Sequence, residues 1–135
     1  MRPFNEGDRE RLLKAAGQVR NRAYAPYSGF SVGAAILTGD DAVFTGCNVE
    51  NGSYGLTICA ERVALFKAVS EGSANLEAVA LVTDTPEPVM PCGACRQVLA
   101  EFNPEMAVIA GTLQGKSVSR RLSELLPEAF DLKKA

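Results

Sequence analysis

The chain has 135 residues, 47% of them apolar and 22% charged, with a formal net charge of −2. That profile fits one globular domain over residues 1–135, long enough to bury a core without disulfide staples. The acidic balance argues against a nucleic-acid polymer as ligand. No apolar run approaches the ~18 residues of a membrane span. The polar, charged stretch from Met1 to Glu10 carries no export signal, so no membrane partner and a cytoplasmic setting are expected.

Asn5 reads as a helix N-cap, with acidic Asp8 three residues on. Leu12, Leu13, Ala16, Val19 and Ala23 then recur at helical spacing, until Ala25-Pro26-Tyr27-Ser28-Gly29 breaks the helix. Val32 to Leu37 and Ala42 to Val49 are short apolar runs around a Thr38-Gly39-Asp40-Asp41 turn, which predicts an antiparallel hairpin. Asn48 to Gly55 reads as a loop, Ile58 to Glu71 as a helix stopped by Gly72, and Leu76 to Thr83 as a strand.

Asp84 to Pro91 holds three prolines and predicts a loop; Pro91 opens a helix to Phe102, closed by Asn103-Pro104. Met106 to Ala110 is a strand, Gly111 a turn, Thr112 to Val118 a last short strand, and Ser123 to Leu126 a helical turn. Strand-helix-strand after residue 76 implies a parallel pair joined by a right-handed crossover. The expected architecture is α/β: three layers, α/β/α, around a mixed sheet of about five strands.

Histidine is absent. This removes Ser-His-Asp, Cys-His and every histidine-ligated metal site, and leaves proton transfer to a carboxylate, Cys, Lys, Tyr or metal-bound water. The four cysteines are Cys47, Cys59, Cys92 and Cys95. In a reducing compartment they point to metal binding or catalysis rather than to disulfides. Cys59-Ala60-Glu61 and Pro91-Cys92-Gly93-Ala94-Cys95 both open predicted helices. A helix N-terminus favours the thiolate that a metal needs.

Cys92 and Cys95 share a face with Val98, Leu99 and Phe102, and their spacing supplies two ligands from one turn. With Cys59 as third ligand and Cys47 buried as a small hydrophobe, a fourth position stays open for water, the mark of a catalytic zinc site. If Cys47 joins, the site is closed and structural. Glu61 beside such a site is placed to move protons. Arg62 and Arg96, each next to a cysteine or to Glu61, are candidates to donate to sulfur and offset the excess negative charge of three thiolates.

Cys59-Ala60-Glu61-Arg62 with Pro91-Cys92-Gly93-Ala94-Cys95-Arg96-Gln97-Val98 resembles the zinc deaminase signature in its three-cysteine form. Tyr27-Ser28-Gly29-Phe30-Ser31-Val32-Gly33-Ala34-Ala35 and Gly46-Cys47-Asn48-Val49-Glu50-Asn51 extend the likeness to the small, homotetrameric cytidine deaminases, over roughly Leu12 to Phe130. The resemblance implies one Zn²⁺ per chain on Cys59, Cys92 and Cys95. It implies water activated by that zinc attacking the amino-bearing ring carbon of cytidine or deoxycytidine, with Glu61 shuttling protons and ammonia leaving.

It further implies that Asn48 and Glu50 bind the ribose, that Phe30 walls the base, and that the backbone of Ala60 reads the base edge. Tyr54 and Phe130 match positions that reach a neighbouring subunit's pocket in the family. Two other readings share the motifs. One is a deaminase of a nucleoside antibiotic, against which Asn48-Val49-Glu50-Asn51 speaks; the other is a non-catalytic zinc-stabilised interaction protein, against which Glu61 speaks.

Overall fold

The computed structural model describes residues 4–134. Residues 1–3 and 135 of the expected domain, and with them the first positions of its polar start, lie outside the described residues. The first helix, α1 (Glu6–Val19), begins with the expected capping box: the Asn5 side chain accepts the Asp8 N–H, and the Asp8 carboxylate accepts the Asn5 N–H. It ends earlier than its apolar period suggests, tightening into a 3₁₀ turn over Arg20–Arg22.

Strands β1 (Val32–Thr38) and β2 (Val43–Cys47) form the antiparallel hairpin. Helix α2 (Ala60–Ser70) leads to β3 (Leu76–Thr83), and α3 (Gly93–Phe102) leads to β4 (Ala107–Thr112). Then come β5 (Ser117–Arg121) and a single turn, α4 (Leu122–Leu125). The five strands lie in the order β2-β1-β3-β4-β5. As the crossover argument requires, β3 and β4 are parallel, while every other neighbouring pair is antiparallel. The sheet is mixed, with α1 on one face and α2 and α3 on the other.

The alternation along the central strands sorts the two cores. Ala34, Ile36, Val79, Leu81, Val108 and Ala110 face the layer of α2 and α3, and their alternates Ala35, Leu37, Ala78, Ala80, Val82 and Ile109 meet Leu12 and Ala16 of α1. Two glycines set how close the helices come. A Cβ on Gly33 would overlap the Ala16 carbonyl oxygen, and one on Gly46 would press on the backbone of Ala60 and Ala64 in α2.

The end of the chain corrects the sequence reading. Gly111 lies inside β4, paired with Val82 and Ser117, and the turn falls at Leu113–Lys116, where Gly115 takes φ +98°. The reason is packing: Gly111 sits under Leu13 of α1, where a Cβ would collide with its side chain. No helix among the described residues is long and apolar enough to cross a membrane.

Candidate active site

β1 runs antiparallel to both of its neighbours, so its start lies beside their ends: Gly33 opposite Cys47 and Val32 opposite Thr83. The chain leaving β2 reaches α2, and the chain leaving β3 reaches α3, from that same edge. Both helix N-termini are therefore delivered to one place outside the strand ends, where crevices form in open α/β sheets.

Cys59 is the N-cap of α2 and Cys92 the N-cap of α3, both with extended backbone and neither spending its side chain on capping. Cys95 lies one turn into α3, fully buried. The Cys59 and Cys92 sulfurs are 3.9 Å apart, and all three sulfurs lie within 4.8 Å of one another. Tetrahedral zinc with Zn–S bonds of ~2.3 Å sets sulfurs roughly 3.8 Å apart, so this donor set fits zinc with little movement. Cys47 stands apart on β2 and outside the cluster, which leaves the fourth position to something other than sulfur.

The thiols divide their protons unequally. Hydrogen bonding from Cys95, then from Arg62 and Cys92, lowers the Cys59 thiol to about 5 against the cost of burial. Cys95, donating to that thiolate and buried, is pushed up and keeps its proton. The Arg62 guanidinium donates to Cys59 Sγ at 3.4 Å through Nη2 and is held still more firmly protonated by that bond, while its buried Nε has no partner among the described residues. Arg62→Ala should weaken zinc retention by about tenfold, as loss of a group supporting a ligand usually does. A chelator-competition titration checks it, and unchanged affinity would sink the role.

Arg96 behaves otherwise than its sequence neighbourhood suggested. It donates through Nε to the Pro91 carbonyl at 2.7 Å and through Nη1 to the Leu125 carbonyl at 3.0 Å. Four residues after the N-cap Cys92, its long side chain folds back over the first turn and ties the loop that carries Cys92 to the end of α4 instead of reaching sulfur.

Next to the thiols opens a cavity of about 230 Å³, walled by Phe30, Val32, Asn48, Thr57, Ile58, Cys59, Ala60, Glu61, Leu81, Thr83, Val89, Met90 and Cys92. Glu61 is 4% exposed. Burial, with a smaller contribution from the Cys59 charge, raises its carboxyl to about 7, against the pull of its own backbone N–H and of Arg62. A buried carboxyl that can hold or give up a proton near neutrality thus sits beside thiols on the wall of a mainly apolar pocket.

Phe30, Asn48 and Ala60 line the cavity. Asn48, however, also has a packing duty that its loop position hid. Its Oδ1 accepts the Val32 N–H at 2.8 Å and its Nδ2 donates to the Phe30 carbonyl at 2.7 Å, pinning the entrance to β1. Each of those atoms keeps one further hydrogen-bonding position.

Glu50, Tyr54 and Phe130 do not line the cavity of their own chain. Glu50 is bonded to the turn at Tyr27 and Ser28. Tyr54 is 78% and Phe130 64% exposed; the Tyr54 ring meets Tyr27 in a T-shaped contact at 6.0 Å between ring centres, and Phe130 is anchored by its carbonyl to Gln97. Sequence reasoning missed Thr57, Ile58, Val89 and Met90. The last two were visible as an apolar pair inside a proline-rich loop, where solvent alone gives no reason for them.

Comparison with known proteins agrees with this geometry. The family described as the cytidine and deoxycytidylate deaminase zinc-binding region matches residues 6–111. A cytidine deaminase of Halalkalibacterium halodurans is 57% identical over 124 residues, covering 91% of this chain and 94% of the relative. One from Mycobacterium tuberculosis is 48% identical over 117 residues, 87% of this chain and 85% of its own. The crystal structure of cytidine deaminase from Burkholderia pseudomallei superposes with a TM-score of 0.88 at 47% identity, covering 94% of this chain and 100% of that one. With its cluster of three cysteines able to hold a metal ion, the chain belongs to the zinc-binding cytidine and deoxycytidylate deaminase family.

Proposed function

We propose that this protein hydrolytically deaminates cytidine and deoxycytidine to uridine and deoxyuridine. The observation that carries the reading is a buried carboxyl, Glu61, set beside three clustered thiols on the wall of an apolar, ring-sized cavity. Zinc held by Cys59, Cys92 and Cys95 supplies a Lewis acid that makes water nucleophilic at neutral pH.

The chain's own groups do the rest. Glu61 takes one proton from the attacking water and delivers it to the ring nitrogen, then takes the second from the hydroxyl now on the ring carbon and delivers it to the amino group. Oxygen bonds to the amino-bearing carbon, the carbon–nitrogen bond to the amino group breaks, ammonia leaves and a ring carbonyl forms. A buried carboxyl on the cavity wall is placed to carry the proton in both halves of that transfer. Phe30 walls the base. The Ala60 N–H, at the first position of α2 where no intrahelical acceptor exists, reads the base edge. Asn48 and Glu50 hold the sugar. Arg62 offsets thiolate charge.

The exposed apolar side chains support a larger assembly. Tyr54, Leu56, Phe130 and Leu132 are all largely exposed, and burying them between subunits would remove that apolar surface from water. We read the chain as one domain of a homotetramer in which Tyr54 and Phe130 complete a neighbour's pocket. The same reading places it in the cytoplasm, where its thiols stay reduced, working in pyrimidine salvage.

Ultraviolet absorbance of cytidine incubated with the purified protein, alongside zinc per chain, tests the core of this. Falling cytosine absorbance with about one zinc per chain is expected. One zinc with no change in cytidine or deoxycytidine would move the substrate to another aminated ring. A protein that deaminates no nucleoside while zinc-bearing and folded would make it a non-catalytic relative.

A further inference from the structure

The turn before β1 holds a serine that the sequence motif gave no role. The Ser28 hydroxyl donates to Glu50 Oε2, and its oxygen accepts the Phe30 N–H at 3.0 Å. Glu50 Oε1 also accepts the N–H of Tyr27 at 2.9 Å and that of Ser28 at 3.1 Å. Gly29, in the left-handed region at φ +71°, lets the chain double back so that the N–H of Phe30 meets the hydroxyl two residues earlier. One side chain therefore joins Glu50, 22 residues away along the chain, to the backbone of the residue that walls the cavity.

A carboxylate has about four acceptor positions. Among the described residues two on Oε1 and one on Oε2 are filled, which leaves one on Oε2, and the Ser28 hydroxyl determines which way that oxygen faces. Ser28, then the backbone N–H groups of Ser28 and Tyr27, also hold the Glu50 carboxyl below its ordinary range, keeping it a pure acceptor. The ligand group that matches one ionised acceptor position is a single hydroxyl donor.

We infer that Ser28 is a positioning residue for sugar recognition: it orients Glu50 so that its one open acceptor position takes a secondary hydroxyl of the nucleoside, and holds Phe30 in step with it. This rests on the reading of Glu50 as a sugar contact. A residue that merely stabilised the turn would weaken all substrates alike, whereas Ser28 sets the preference between sugars.

The test measures kcat/KM on cytidine and on 2′,3′-dideoxycytidine, which lacks the secondary hydroxyls, for the parent, Ser28→Ala, Ser28→Thr and Glu50→Gln. Because each variant is compared with itself on two substrates, partial misfolding cancels. Ser28→Ala is expected to reduce the preference for cytidine about tenfold, chiefly through KM, and Ser28→Thr to restore it by keeping the hydroxyl. An unchanged preference in Ser28→Ala, while Glu50→Gln loses it, overturns the role of Ser28 and leaves the sugar role of Glu50 standing. If Glu50→Gln also keeps the preference, the sugar reading of Glu50 is wrong and the inference falls with it.

Discussion

Glu61→Gln yields a folded chain that still binds zinc, loses at least about a thousandfold in kcat on cytidine, and becomes more stable than its parent at alkaline pH. The first effect follows from the missing proton carrier, since the amide fills the same space and cannot exchange the proton. The second follows from burial. In the unfolded chain the carboxyl titrates near its ordinary 4.5; folded and metal-free, it titrates near 7.

Below about pH 4.5 both states hold the proton and Glu61 is neutral to stability. Between 4.5 and 7 the unfolded state gives up the proton while the folded state keeps it, so stability falls as pH rises. Above 7 both are ionised and the full cost, about 3 kcal/mol, remains. Gln carries no such cost. Urea unfolding of both chelated proteins at pH 4 and pH 8 checks this: curves that coincide at pH 4 and separate at pH 8 are expected. Separation at pH 4 alone would mean the carboxyl is not the buried group described.

Stripping zinc, or replacing Cys95 by Ala, has the other large effect. Deamination falls to background in both cases, and readdition of zinc rescues only the stripped parent. The melting temperature drops as well, by about 10 °C or more, because a bound metal stabilises the folded state by its binding free energy. The structure says where that free energy acts: the three sulfurs join the first turn of α2 to the first turn of α3, two elements that otherwise meet mainly through the apolar core.

Metal entry also expels protons. Cys59 is already ionised at neutral pH, but Cys95 holds its proton by donating to Cys59 and must lose it on coordination. Zinc uptake should therefore release acid and weaken as pH falls. Calorimetry in two buffers of different ionisation enthalpy reads the release directly, and an identical heat in both would contradict the assignment of protons within the triad.

What could be read from sequence depended on the length scale of the cause. The α1 capping box, the hairpin and the parallel β3–β4 pair follow from local spacing and from handedness, and Asn5, Gly72 and the prolines around α3 mark their limits well. Gly111 misled because its reason is tertiary: a glycine reads as a turn unless the Leu13 side chain lying over it is known. The metal triad was legible because three cysteines with a neighbouring acid admit few uses in a histidine-free chain.

The cavity wall was less so. Val89 and Met90 come from an irregular loop, and Asn48 owes its two hydrogen bonds, to Val32 and Phe30, to a meeting of segments 16 and 18 residues apart. The destination of Arg96 was out of reach of any local rule, because one of its two carbonyl acceptors, Leu125, is 29 residues downstream.

The two faces of the sheet differ in a way that shapes what this lineage is free to change. Toward α1 the middle of the sheet shows Ala35, Ala78 and Ala80 beside Gly33, so the helix rides close to the backbone there, with Leu37, Val82 and Ile109 around them; toward α2 and α3 it shows Ile36, Val79, Leu81 and Val108 with Ala34 and Ala110 among them. At Gly33 and its neighbouring alanines the first face has little room to grow, whereas the larger residues of the second cannot be trimmed without leaving a void. Drift at these positions is thus ratcheted in opposite senses. The layer behind the chemistry keeps its closeness over Gly33 by the lack of volume, as α2 does over Gly46, and Ile36, Val79, Leu81 and Val108 hold the rest of the catalytic layer off the sheet by bulk.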